Sequence, residues 1–351
     1  MKIAMLLSGG VDSSVALAEL KRQGHSNITA FYLKIWLEDD LSYLGQCPWE
    51  EDLEYARGVC EKLDIPLEVV SLQRAYWDRV VAHTVRELKV GRTPSPDILC
   101  NENVKFGAFA DLIDESYTHI ASGHYAQVEH SAEESRLLKG VDPIKDQTYF
   151  LSRLTQGQLR RALFPIGHLP KADVRKLATQ YDLPTQNRPD SQGICFLGKL
   201  KFNEFVKAHL GELPGKIIEL ETGKVLGDHK GFWFHTIGQR KGLGLSGGPW
   251  FVVQKDAEKN IVYVSCEEAR TERPQLEFVV SAVHWLEKPA TLSEEFQVKI
   301  RHGVRTTRCL LQDLGEGRFK IHLAEADGGI APGQYAVIYS GATCLGSGVI
   351  E

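Results

Sequence analysis

The sequence predicts an α/β N-terminal domain, with a parallel sheet and helices on both faces, followed by a small β-rich central domain and a C-terminal β-barrel. Three observations carry that prediction. Short apolar runs alternate with longer helical ones from residue 1 to about 125, the spacing of β-α repeats. The first run turns through Ser8-Gly9-Gly10 straight into a helical pattern. Beyond about residue 200, short strands at close spacing with Gly-rich turns take over. The expected divisions are 1–200, 201–274 and 275–351.

Taken in order, residues 2–7 form an apolar run that reads as a buried strand, and residues 15–21 read as a helix. Residues 28–33 read as a second strand, 51–63 as a helix with Asp and Glu in its first turn, 66–70 as a third strand and 75–88 as a helix. After a loop, 106–114 gives another helix and 119–122 a strand. Ligands of such sheets bind beyond the carboxyl ends of the strands. Three loops are therefore expected together: residues 8–14, those near Leu33 and Lys34, and Ser122-Gly123-His124-Tyr125. In the last domain, 278–280, 296–300, 308–311, 319–323 and 335–339 are candidate strands.

Composition narrows the class. The chain has 351 residues, 43% of them hydrophobic, enough for two or three domains with proper cores. A net charge of −5 does not mark a nucleic-acid binder as a whole, so such a contact requires a local basic face. No apolar stretch reaches the roughly 18 residues of a membrane span. With a phosphate-type loop within the first ten residues, no signal or transit peptide is expected in this form of the chain. The 7 cysteines are spread thinly, with neither Cys-x-x-Cys nor zinc spacing. A reducing, cytoplasmic setting follows, with any important cysteine catalytic rather than structural and no metal cluster expected.

The chemistry gathers in loops. A strand turning through Ser8-Gly9-Gly10 into a helix leaves backbone N–H groups aimed at an anion, and glycine lets that anion come close. Asp12, Ser13 and Ser14 add a carboxylate and hydroxyls, and the expected ligand is a phosphate or pyrophosphate. An ordinary βα turn also favours Gly and Ser, but Ser8-Gly9-Gly10-Val11-Asp12-Ser13 is a longer and more specific string. It lacks the lysine of a Walker A loop and the spacing of a dinucleotide fingerprint.

Cys100 follows Thr93-Pro94-Ser95-Pro96-Asp97-Ile98-Leu99 near a helix start, flanked by Asn101, Glu102 and Asn103. A partly exposed thiol there is a usable nucleophile, whereas a buried one is packing; the polar flanks favour the first. Cys195, in Asn187-Arg188-Pro189-Asp190-Ser191-Gln192-Gly193-Ile194-Cys195-Phe196, is a second candidate thiol. Between them, Arg153, Arg160, Arg161, Lys171, Arg175 and Lys176 are opposed only by Asp173. That is either a solvated face or a basic surface for a polyanion. Gly238-Gln239-Arg240-Lys241-Gly242 is a surface turn or a phosphate contact.

Ser8 to Ser13 resembles the PP-loop of ATP pyrophosphatases, and with the other motifs the whole chain resembles the tRNA-specific 2-thiouridylases. The matching stretches are residues 93–101, 122–126, 145–151, 190–196, 236–244 and 331–334. The first catalytic loop reads Ser95-Pro96-Asp97 where the family more often has Asn-Pro-Asp, and Leu33 stands where the family often has Met.

The resemblance implies ATP-dependent thiolation of the wobble uridine at C2, through adenylation of its C2 oxygen with release of pyrophosphate. A Cys195 persulfide would then transfer sulfur, and Cys100 would close a disulfide with Cys195. Asp97 is the implied general acid/base. Implied ATP-binding residues are Leu6, Leu7, Ser8, Gly9, Gly10, Val11, Asp12, Ser13, Leu33 and Gly123, with Mg²⁺ arriving with the nucleotide. Implied tRNA-binding residues are Ser95, Pro96, Asp97, His124, Lys145, Asp146, Gln147, Arg301, His302 and Gln334. The implied partners are the anticodon arm of tRNA and a persulfide donor, such as a cysteine desulfurase or a sulfur-relay protein, with a monomer as the default state. Two alternatives stand beside this: a PP-loop ligase that adenylates a small molecule, and a non-catalytic RNA-binding protein that has kept a nucleotide pocket.

Overall fold

The computed structural model describes residues 1–35, 48–190, 202–266 and 275–351. Strands β1 (Ile3–Leu6), β2 (Ile28–Lys34), β3 (Leu67–Ser71), β4 (His119–Ala121) and β7 (Ala162–Leu163) form a parallel sheet in the order β3-β2-β1-β4-β7. Alternate residues of β1 feed two cores. Ile3, Met5 and Leu7 pack with Val15 and Leu17 of helix α1 (Val11–Arg22), Val59 of α2 (Pro48–Leu63), and Val174. Ala4 and Leu6 face Tyr76, Val80 and Phe109 on the other side. Each such fully buried aliphatic side chain stabilises the sheet by about 1.5–3 kcal/mol. The expectation of helices on both faces is met. The chain leaves β1 towards β2 on one side and pairs it with β4 on the other, so the loop after β1 sits at the topological switch point.

The helix expected from residue 106 begins ten residues earlier. Pro96–Cys100 is α-helical, with proline in the first turn, where its fixed φ suits the helix. Asn101–Ala108 continues as a π-helix and Phe109–Leu112 returns to α geometry. Helix 75–88 likewise starts at Gln73 and carries a π-turn over Trp77–Val81.

In the central domain, β8 (Gly215–Glu219), β9 (Val225–His229), β10 (Trp250–Asp256) and β11 (Ile261–Cys266) form one sheet in the order β10-β11-β8-β9. His229 ends β9 and His235 lies beside it with ring centroids 5.6 Å apart, both buried. Burial, with His229 and Lys255 nearby, pushes His235 down to about 4. Its folded pKa lies below the usual value near 6.5, so stability is full above that value and is lost as pH falls towards 4. Wild type should lose about 1–2 kcal/mol between pH 7 and 5 that the His235→Asn variant does not, read as the difference in urea midpoints. Equal pH dependence in both chains would refute the assignment.

The last domain is a closed barrel of six strands: β12 (Glu277–Trp285), β13 (Phe296–Lys299), β14 (Thr307–Gly315), β15 (Arg318–Leu323), β16 (Tyr335–Ser340) and β17 (Thr343–Ile350). They run β12-β15-β14-β13-β16-β17, and β17 closes back on β12. Sequence patterning misses β17, whose Gly346 and Gly348 hide its alternation. It also misses the hairpin β5 (Ala126–His130) and β6 (Ser135–Lys139), which grows from the α/β domain and joins the barrel. Thr343 and Cys344 pair with Leu138 and Leu137, so the two domains share a sheet. Among the described residues, no helix is long and apolar enough to cross a membrane.

Candidate functional site

The loop after β1 is pinned from within. Ser13 Oγ donates to the Gly10 carbonyl at 3.1 Å and lies 3.2 Å from Ser8 Oγ, and Ser14 Oγ donates to the same carbonyl at 2.8 Å. The Ser8 amide donates to Ser13 Oγ at 3.2 Å. Gly9 sits at φ +73° with the Asp52 carbonyl against the place a Cβ would fill, so only glycine fits. Gly123, after β4, packs on the start of α1: a Cβ there would lie 2.7 Å from the Ser13 amide nitrogen. Loops 8–14 and 122–125 thus meet as expected, with Leu6, Leu7 and Val11 buried beneath them. Leu33, half-buried at the end of β2, leads towards residues 36–47, which lie outside the described residues.

Around the loop runs a charge network whose pairings lie far apart in sequence. The Asp12 carboxylate accepts from Tyr125 Oη at 2.7 Å and pairs with Lys171 Nζ at 2.6 Å. Lys171 also pairs with Asp190 at 2.9 Å, and Asp190 takes Lys145 at 2.7 Å and Arg175. Burial alone would raise the Asp190 pKa, but the hydrogen bonds and charges of Lys145, Lys171 and Arg175 hold it well below the usual carboxylate range. Burial and the Asp12 charge raise the Tyr125 phenol, which stays a donor at neutral pH. Arg188 donates to the Gly9 carbonyl at 2.7 Å and to Asp52 at 2.7 Å, bracing the loop from below. Asp52 carries no motif, and nothing in the sequence singles it out.

Several expectations are corrected. The run from Arg153 to Lys176 is not one basic face: Arg153 pairs with Glu102, Arg160 donates to the Glu133 carbonyl, Arg161 to the Tyr117 carbonyl at 3.1 Å, and Lys176 pairs with Asp173. The Cys100 thiol is not partly exposed. It is 1% exposed in the apolar cluster of Ile98, Leu99 and Val104, in a helix that already starts at Pro96. Asp146 is buried, paired with Lys299 at 2.8 Å and accepting from Thr148 Oγ1 at 2.9 Å. His124 is buried too, its Nδ1 2.7 Å from Ser122 Oγ and its ring against Phe164, and burial lowers its pKa so that it stays neutral.

The remaining positions fall into two places. Ser95 and Pro96 are buried and Asp97 half-buried at the head of the Cys100 helix. Gln334 donates to the carbonyls of Thr93 (3.3 Å) and Pro94 (3.2 Å), tying the barrel to that loop. His302 stacks on Phe150 at 4.5 Å, and Arg301 pairs with Asp327. Gln147 accepts from the Tyr125 amide at 3.0 Å. Cys195 and the rest of its motif after Asp190 lie outside the described residues.

Fold and site define a nucleotide-type α/β domain, its phosphate loop at the switch point of a parallel sheet, fused to two β modules. Three family models match in sequence. The tRNA methyl transferase HUP domain covers residues 1–199, the tRNA methyl transferase PRC-barrel domain 203–266 and the aminomethyltransferase beta-barrel domain 275–350. A protein of Parabacteroides distasonis named tRNA-specific 2-thiouridylase MnmA is 46% identical over 358 residues, covering 100% of this chain and 99% of the relative. One of the same name from Porphyromonas gingivalis is 45% identical over 363 residues with the same coverage. The chain belongs to the tRNA-specific 2-thiouridylase family.

Proposed function

We propose that this protein is a sulfurtransferase that places sulfur on C2 of the wobble uridine of tRNA at the expense of ATP. The observation that carries the reading is Lys171, which joins Asp12 of the phosphate loop to Asp190, five residues before Cys195. It couples the nucleotide site to the segment bearing the second candidate thiol. Methyl transfer, the wording of two family models, has no use for a pyrophosphate-type loop with two cysteines.

Uracil O2 is a poor leaving group, so its conversion to an adenylate, with loss of pyrophosphate, precedes sulfur transfer. The amides of residues 8–13 would hold the phosphates, with Leu33 and Gly123 lining the nucleotide. Mg²⁺ would come with the triphosphate and neutralise its charge; among the described residues no cluster of three or more His, Cys, Asp or Glu side chains is placed to hold a metal.

The outer sulfur of a Cys195 persulfide attacks C2 and AMP leaves. Cys100 thiolate then attacks Cys195 Sγ, breaking the S–S bond, leaving sulfur on C2 and forming a Cys100–Cys195 disulfide that an external dithiol reduces. Asp97, at the same helix N-terminus, moves the proton. Ser95, Pro96, Lys145, Gln147, Arg301, His302 and Gln334 would position the anticodon arm, while Asp146 and His124 would act from beneath it. The setting is cytoplasmic, the protein a monomer and the sulfur source a persulfide donor protein.

The test is thiolation of an unmodified transcript carrying a wobble uridine, with ATP, Mg²⁺ and a persulfide donor. Wild type should incorporate sulfur, and Cys195→Ser and Cys100→Ser should each fall at least 100-fold. Undiminished incorporation in both variants would refute the mechanism. No incorporation, with pyrophosphate released on a small-molecule acceptor, would return the chain to the ligase class.

A further inference from the structure

We propose that the glycine-rich loop of the central domain, through Arg240 and Lys241, forms with Arg301 of the barrel a composite grip on the phosphate backbone of the RNA. The proposal rests on the tRNA reading above and assigns a role to a domain which that mechanism leaves idle.

Four observations converge. First, residues 229–255 contain no Asp or Glu, whereas the whole chain is acidic at −5; this stretch carries Lys230, Arg240, Lys241 and Lys255. Second, the base of the loop is pinned by hydrogen bonds. The Gly238 amide donates to the Val252 carbonyl at 2.8 Å, and the Val252 amide to the Gln239 carbonyl at 3.0 Å. The Gln239 side chain accepts from the Thr236 amide at 3.0 Å and donates to the Lys241 carbonyl at 3.0 Å. Leu243 is buried and anchors the far end.

Third, Arg240 and Lys241 are exposed at the tip, and among the described residues neither side chain makes an ion pair or hydrogen bond, unlike those of Lys145, Lys171, Arg175 and Arg188. Fourth, the base of the loop abuts the barrel at Arg301. A Cβ on Gly238 would lie 3.1 Å from Gly329 Cα, and the place of a Cβ on Gly329 is filled by the Arg301 guanidinium. Asp327 pairs with Arg301 and accepts from the Gly329 amide at 2.8 Å, so the same carboxylate fixes both the cation and the seam. Arg301 remains half-exposed beside the loop.

Two cations on a braced loop and a third on the adjoining domain suit a run of phosphates rather than a single anion. Contacts of this kind position RNA without reading its sequence. They neutralise backbone charge and release counterions, so they show in the salt dependence of binding. The other polyphosphate at hand is ATP, and the proposal commits to RNA because the loop lies at the seam with the barrel and not at the phosphate loop of α1.

The test compares wild type with Arg240→Ala/Lys241→Ala by fluorescence anisotropy on labelled unmodified tRNA from 50 to 200 mM salt, together with steady-state thiolation. The variant should bind about tenfold more weakly, with a salt slope smaller by about 1–2, the value for one or two lost phosphate contacts. KM for tRNA should rise with kcat and KM for ATP unchanged, and Arg240→Lys/Lys241→Arg should restore both slope and KM. An unchanged slope and KM for tRNA would overturn the grip while leaving the thiolation reading intact. A raised KM for ATP instead would overturn it in favour of nucleotide binding. Failure of wild type to bind tRNA at all would overturn both readings together.

Discussion

Replacing Lys171 by methionine should cost about 100-fold in kcat/KM for thiolation, chiefly through ATP. Its ammonium lies 2.6 Å from Asp12 and 2.9 Å from Asp190, beside the loop that is to hold a triphosphate. Asp190 keeps Lys145 and Arg175 in the variant, but Asp12 keeps only the Tyr125 hydroxyl. An uncompensated carboxylate next to phosphate charge costs about 3 kcal/mol at an effective dielectric near 20, or about 100-fold. The loss should appear in equilibrium ATP binding before any sulfur chemistry, while tRNA binding is kept. Lys171→Arg should recover part of it, because a guanidinium can still reach both carboxylates. If Lys171→Met binds ATP within threefold of wild type, the network is a fold brace and not part of the nucleotide site.

The second large effect is on stability. Lys299 of β13 and Asp146 of the α/β domain form an ion pair whose side chains are 3% and 2% exposed. Removing one partner leaves the other charge buried and uncompensated, so Lys299→Met should destabilise the protein by about 3–5 kcal/mol, read as a lowered urea midpoint. Asp146→Asn together with Lys299→Met should recover at least half of that. The asparagine oxygen can still accept from the Gly140 amide and Thr148 Oγ1, and no orphan charge remains. A double variant as unstable as the single one would show that packing, not charge, sets the cost.

The same pair helps hold the barrel so that Gln334 reaches the carbonyls of Thr93 and Pro94, just ahead of Asp97 and Cys100. Thiolation should therefore decline in Lys299→Met before ATP binding does.

Much of this molecule was legible from local pattern. The apolar run into Ser8-Gly9-Gly10 announced strand, phosphate loop and helix together, because an anion loop at a sheet edge needs those residue types in that order. Alternating short strands announced most of the barrel, since a half-buried strand must alternate. The pattern lost its hold where glycine replaced side chains in β17, and where a π-helix blurred the 3.6-residue period after Cys100.

Tertiary structure alone decided which polar residues are surface and which are interior. Asp146 sits in a motif that reads as a polar contact, yet its partner Lys299 lies 153 residues away in another domain. Lys171 looked like one member of a basic run, until the fold set it between two carboxylates from distant loops. Strand, helix and loop follow from neighbours along the chain, because backbone conformation and side-chain period are local. The partner of a buried charge does not, because desolvation is relieved by whatever the fold brings within about 3 Å, however far away in sequence.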